Sequence, residues 1–327
     1  MTENEHLDFK EFFDLFPEIF HYTNVSSFIG IFKEQILCAK YYEDLNDRSE
    51  LGRFRLKVCE FIRPLIRQHF AMKMQRDLQF SKAVNQDGGI DVVVDKEVAM
   101  FLDNADQITF GKQAFQPFVC SFCAHSKDSY EAKNGLLSQW RGYATDGGVA
   151  VVFDARGIGD RLQHEKEIYA HPINHIGNVI YDNDAEAIRK EFNEVFEHFP
   201  KMIDAFYTNR KPALEKIYRH FVGGCTLVKH HGFCEEKEVR IVVAPRPNED
   251  SDFYEPAHGL KPSKTIYHKK RNNREVRYIE LFGDAPLPIK RVIIGPSQFQ
   301  DINYQKITDL VTGLRIEVVK SDTPFLG

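Results

Sequence analysis

Apolar residues along this chain recur at two spacings, and the change from one to the other marks out the elements. Phe9, Phe12, Phe13 and Phe16 fall at helical intervals and stop at Pro17, which predicts an amphipathic helix within residues 1–19. Ile19 to Thr23 reads as a short strand. Asn24 or Ser26 is placed to cap a helix through Ser27–Phe32, and Ile36–Ala39 reads as a second strand. The polar stretch 45–50 is expected to be a loop that leads into a helix. Phe54, Val58, Phe61, Leu65 and Phe70 place that helix over Leu51–Met74, with a bend at Pro64. Residues 80–112 are less regular, with a turn at Asp87-Gly88-Gly89 and a helical stretch at Val98–Leu102. Further strands are expected at Phe118–Phe122, Val149–Phe153 and Asn178–Tyr181, and a short helix at Leu136–Tyr143. Ile188, Phe192, Val195, Phe196, Phe199, Ile203 and Phe206 predict helices over about 185–207, and another follows Pro212. The late strands fall at 239–244, Thr265–Tyr267, Val276–Leu281, Arg291–Ile294 and Leu314–Val319.

With no repeat and no long linker, 1–327 reads as one α+β domain carrying helical insertions at about 51–112 and 183–222. Hydrophobic content of 43% and charged content of 28% are those of a globular chain. Phe accounts for 27 residues, which fits an aromatic-filled core or a stacking pocket. The formal net charge of -5 argues against a general nucleic-acid binder held by phosphate contacts. The run Lys269-Lys-Arg-Asn-Asn-Arg274 therefore reads as a solvated hairpin loop. No apolar run is long enough to span a bilayer, and the first residues lack the basic start and apolar core of a signal, so the expected compartment is the cytoplasm, with no membrane partner. Six cysteines fit buried reduced thiols better than a zinc site built on Cys120-Ser-Phe-Cys123 with Cys225 and Cys234, and no metal is expected.

The segment Phe233–Pro245, FCEEKEVRIVVAP, carries the densest chemistry. If Glu236 and Glu238 share a strand, alternation sets them side by side on the face opposite Val239 and Ile241. Two neighbouring carboxylates raise one pKa unless a cation lies close. An Arg240–Glu238 contact would instead be a structural ion pair.

Around it stand His21-Tyr22-Thr23, Leu45-Asn46-Asp47, Glu50, Trp140 with Tyr143-Ala144 and Gly148, Lys229, Glu236-x-Glu238-Val239-Arg240, and Ile293-Ile-Gly-Pro296. In this order the motifs resemble the prokaryotic family catalogued as domain of unknown function 2971, over roughly 19–296 and without the helical insertions. Val239 departs from the family, which often has Trp there. The His-Tyr start and late Glu-x-Glu are also similar, more distantly, to the ADP-ribosyltransferase fold. That likeness implies a mixed, split β core clasping NAD as substrate. It implies that Glu238 stabilises the oxocarbenium-like centre formed when nicotinamide leaves. Glu236 would orient an acceptor, and His21, supported by Thr23, would bind the ribose. Tyr22, Trp140 or Tyr143 would stack on a ring, Arg141, Lys229 or Arg240 would meet the pyrophosphate, and Asn46 and Asp47 would line the site.

The expected function is transfer of ADP-ribose to a protein or nucleic acid, or hydrolysis of NAD, as in a toxin or phage-defence effector. The alternatives are a non-catalytic module that binds a nucleotide or partner, and a nuclease with Asp47, Glu50 and the Glu-x-Glu pair on a metal. The whole reading requires His21 and Glu238 to meet in one cleft.

Overall fold

The computed structural model describes residues 12–45, 50–110, 116–143, 147–171, 173–193, 222, 224–245, 261–271 and 274–324. Residues 12–15 are helical and end just before Pro17. Strand β1 (Glu18–Thr23) leads through Asn24 into helix α1 (Val25–Glu34). Asn24 caps that helix by accepting from the Ser27 amide at 2.8 Å. Strand β2 (Ile36–Tyr41) follows, and then the long helix α2 (Glu50–Arg76). Pro64 stands inside α2, which runs on to Arg76. Helices α3 (Leu78–Gln86) and α4 (Ile90–Phe110) complete a helical layer.

Strand β3 (Phe118–Ala124), the short helices α5 (Tyr130–Asn134) and α6 (Leu137–Tyr143), and strand β4 (Val149–Asp154) come next. Helix α7 (Ala155–Ile168) then joins β4 to β5 (Ile173–Asn178) and β6 (Ile180–Tyr181). Periodicity predicts no helix over 155–168, and its strand at Asn178–Tyr181 covers β6 but only the last residue of β5. Helix α8 (Ala185–Glu191), β7 (Val228–Lys229), β8 (Glu238–Ala244), β9 (Tyr267–Arg271), β10 (Arg274–Phe282), β11 (Ile289–Ile294), α9 (Gln300–Leu310) and β12 (Glu317–Lys320) finish the described chain. The helices expected at 194–207 and after Pro212 lie outside the described residues.

Among the described residues, ten strands form one mixed open sheet, ordered β12-β11-β4-β1-β3-β2-β10-β9, with β8 on β3 and β5 on β8. β11 and β12 run parallel, whereas the other described pairs of this sheet are antiparallel. Helices accompany the sheet, so the class is mixed α and β. Strand β3 is the junction. One of its edges carries β8 from Phe118 to Cys123. The other pairs with β2 at Phe118 and Val119 but with β1 at Cys123 and Ala124, so the pairing changes hands in between.

Alternation along the strands divides the core. Ile19, Phe118, Cys120, Phe122, Val151, Phe153, Val239, Ile241 and Val243 share the largest apolar cluster on one face, with Phe28 of α1, Ile158 and Leu162 of α7, and Ile307 of α9. Phe20, Tyr22, Cys123, Ala150 and Val152 pack on the other face with Trp140. The helical layer has a cluster of its own, in which Phe54, Val58, Ile62, Ile66 and Phe70 meet Val94, Val98, Ile188 and Val228.

Candidate functional site

Glu236 and Glu238 do come together, but not as neighbours on a strand. Residues His231–Glu236 form a 3-10 turn, Lys237 takes a left-handed conformation at φ 42°, and β8 starts at Glu238. The Lys237 carbonyl accepts from the Ala124 amide at 2.8 Å, which anchors the turn to β3. What joins the two acids is Lys229 on β7. Its ammonium donates to Glu236 Oε2 and to Glu238 Oε2, each at 2.7 Å. Arg240 grips Glu238 from its own strand, with Nε to Oε1 at 2.8 Å and NH2 to Oε2 at 3.1 Å, and its NH1 donates to the Thr226 carbonyl at 2.6 Å. The Glu238 amide donates to the Tyr181 hydroxyl at 3.2 Å.

The cluster is enclosed. Glu238, Lys229 and Arg240 are 5%, 6% and 2% exposed. Burial alone would raise the Glu238 pKa, but Arg240 and Lys229 outweigh it and bring the carboxyl down to about 2. Burial disfavours the charge on Lys229 too, and the two glutamates reverse that, so the ammonium is held above its ordinary value. Glu236 is half-buried, and its pKa is raised by burial against the pull of Lys229. Tyr181 is pushed up to about 12, first by burial. Among the described residues two cations thus face two acids, and Glu238 is a fixed carboxylate with both oxygens bonded. Arg240 and Glu238 form the ion pair that is the alternative to a catalytic role, with Lys229 as a third member.

His21 lies elsewhere. Phe20, Cys123 and Glu238 are successive register partners across β1, β3 and β8, so these three side chains share one sheet face. His21 is adjacent to Phe20 on β1 and in register with Val151 of the large cluster, so its ring points to the other face. There its Nδ1–H donates to the Ser121 carbonyl at 3.0 Å, where β3 changes partner from β1 to β2, and the ring lies 5.7 Å from Phe122. Burial, first among the influences, lowers its pKa and keeps the imidazole neutral. The sheet itself stands between His21 and Glu238, and the single cleft required of them is not formed.

The aromatic candidates divide in the same way. Trp140 is 1% exposed, edge-on to Tyr22 at 4.9 Å between ring centroids, and its indole N–H donates to the Asn134 carbonyl at 3.0 Å. Tyr22 is buried; its hydroxyl accepts from the Leu136 amide at 2.8 Å and donates to His125 Nε2 at 2.9 Å. Both therefore fill core space rather than offer a ring to a ligand. Thr23 is half-buried at the end of β1. Arg141 and Tyr143 are exposed on α6. Asn46 and Asp47 lie outside the described residues, as does the Glu50 side chain, so the metal reading that used them has no geometry to rest on.

Sequence reasoning misses Tyr181 and Thr226 as members of the Glu238 cluster. A strand at Tyr181 is legible in the sequence, but only the parallel pairing of β6 with β7 sets that residue beside Lys229. Also missed is the group next to the cluster, Asp182 with His230 and His231, whose potential ligand atoms lie within 4.8 Å of one another. Both Asp182 oxygens and the Nδ1 atoms of the two histidines are already bonded within the protein. Asp182 Oδ1 accepts from the His231 amide and from Nδ1, each at 2.9 Å; Oδ2 takes Arg53 at 3.1 Å; and His230 Nδ1 accepts from the Gly232 amide at 3.0 Å.

No described helix is long and apolar enough to cross a membrane. No curated protein and no solved structure matches the chain. Residues 139–241 match the family described as protein of unknown function, DUF2971. The resemblance to that family is thus carried by a stretch that opens at Gln139 and Trp140 and closes on Glu236, Glu238, Arg240 and Ile241.

Proposed function

We propose that this chain is a nucleotide-binding module in which the Glu238 cluster is a structural brace and not a catalytic centre. One observation carries the reading: both Glu238 oxygens are bonded to Lys229 and Arg240 in an enclosed site, which leaves Glu238 without a free oxygen to meet a ribose. The half-open rim beside the brace suits a nucleotide. Phe233 is 40% exposed and lies over the Lys229 ammonium at 4.7 Å, and the His230 and His231 rings stand 4.3 Å apart beside it. A base would stack on these rings while the exposed Lys237 meets a phosphate. The break in pairing along β3 supports an ADP-ribosyltransferase-like split core as part of the same proposal.

A second reading keeps NAD cleavage and makes Glu236 the acid. It is favoured by the raised pKa of that half-buried group at the rim. The two readings part on one assay, in which free nicotinamide is followed from NAD with wild-type protein and with Glu236→Gln, alongside a thermal shift with NAD and ADP-ribose. The module reading expects a stabilising shift, lost in Phe233→Ala, with no nicotinamide released. Steady release by wild type, abolished by Glu236→Gln, would replace it with the enzyme.

A further inference from the structure

The basic run at 269–274 does not stand alone as a loop. Its described residues, 269–271 and 274, lie on the antiparallel pair β9 and β10, and β9 is the outermost described strand at that end of the sheet. Register sorts its side chains. Tyr267 pairs with Tyr278, Lys269 with Val276, and Tyr278 in turn with Lys40 of β2. Tyr267, Lys269, Arg274, Val276, Tyr278 and Lys40 therefore share one face. The two tyrosines stack there, 5.4 Å apart and 24° from parallel, and Tyr267 is 39% exposed. Lys269 and Arg274 are exposed, and Lys40 is half-buried. Across the three strands, Glu280 is the one acid in register on this face among the described residues. The opposite face is different, since Arg277 pairs with Asp44 at 3.2 Å and His268 with Glu275 at 3.1 Å.

A charged edge strand by itself is a common guard against edge-to-edge association. Such a guard needs only charge. It does not need an exposed tyrosine stacked on a half-buried one, nor a lysine two strands in from the edge. Aromatic faces flanked by cations are what single-stranded nucleic acid binds, because every base offers a π face and the backbone a negative charge. A duplex would hide its bases from the rings. The overall charge of -5 rules out binding driven by charge everywhere, but not a local positive face.

We infer that the Tyr267–Tyr278 face of β2, β10 and β9, with Lys40, Lys269 and Arg274, is a platform for single-stranded nucleic acid, separate from the Glu238 cluster. Fluorescence anisotropy with labelled oligouridylate and oligothymidylate of roughly a dozen nucleotides covers the RNA and DNA forms of that chemistry. Saturable binding is expected for at least one of them, with the matching duplex weaker. Tyr267→Ala weakens it about fivefold or more. Lys269→Gln with Arg274→Gln makes the dependence of log affinity on log salt shallower by roughly 1.4, at about 0.7 for each phosphate no longer neutralised. Each variant is first shown to melt with wild-type Trp140 fluorescence. The proposal is overturned by no saturable binding of either oligonucleotide, by unchanged affinity in Tyr267→Ala, or by a face that takes an acidic peptide but neither strand.

Discussion

Glu238→Gln isolates the charge at the centre of the cluster, because the amide keeps the carboxylate's shape and some of its hydrogen bonds. In the native protein Glu238 is 5% exposed and bonded by Lys229 and Arg240. Without its charge, Lys229 and Arg240 both lose the carboxylate that they share, while Lys229 keeps its bond to half-buried Glu236. Removing one partner of a buried ion pair costs about 3–5 kcal/mol, because the other charge is left uncompensated. Set against a total stability of roughly 5–15 kcal/mol, that is a large fraction. Urea unfolding followed by the fluorescence of Trp140, the single tryptophan, reads it directly. With an m-value of about 3 kcal/mol/M the midpoint should fall by roughly 1 M or more. Lys229→Met alone should cost a similar amount, and the double variant less than the sum, since the two charges then leave together. A Glu238→Gln loss below about 1 kcal/mol, the worth of an exposed pair, would refute the reasoning.

Two further predictions rest on single residues. His125 is buried with its pKa held down to about 4 by burial, so the native imidazole stays neutral while the unfolded chain takes up a proton below 6.5. The associated stability, about 3 kcal/mol, is present above pH 6.5 and is lost as pH falls towards 4. Urea midpoints across that range should slope steeply in wild type and less in His125→Gln, and equal slopes would count against the assignment. Gly135 sits at φ 76°, and a Cβ there would overlap the Trp140 ring. Gly135→Ala should therefore cost about 2 kcal/mol or more and alter the near-UV circular dichroism of Trp140, and a variant as stable as wild type would contradict that packing.

The legible parts of this chain are those whose signals are local. The Asn24 cap, the buried runs Phe118–Phe122 and Val149–Phe153, and the periodic Phe54-to-Phe70 face can all be read within one or two turns of chain. The junction at β3 cannot be read that way, because it depends on which strands share an edge, and β3 is far in sequence from each of its partners β1, β2 and β8. Helix α7 escapes the pattern because its buried residues, Ala155, Ile158, Leu162 and Glu165, include a small residue and a charged one in place of a full apolar stripe. The acidic pair stands out for an incorrect local reason, since the left-handed turn at Lys237 breaks the strand alternation that would set the two acids side by side. Residue order also does not reveal that His21 and Glu238 point away from each other. One position along β1 decides the face, and motif order is blind to that parity.

Whether Glu238 is a brace or a reacting acid is written in its own titration. Carboxyl-carbon NMR of glutamate-labelled protein, assigned by the loss of one resonance in Glu238→Gln, should show this group ionised throughout the folded range, with a pKa near 2. A midpoint at or above the ordinary 4.5 would mean that Lys229 and Arg240 do not hold it, and the account given for this cluster would be contradicted.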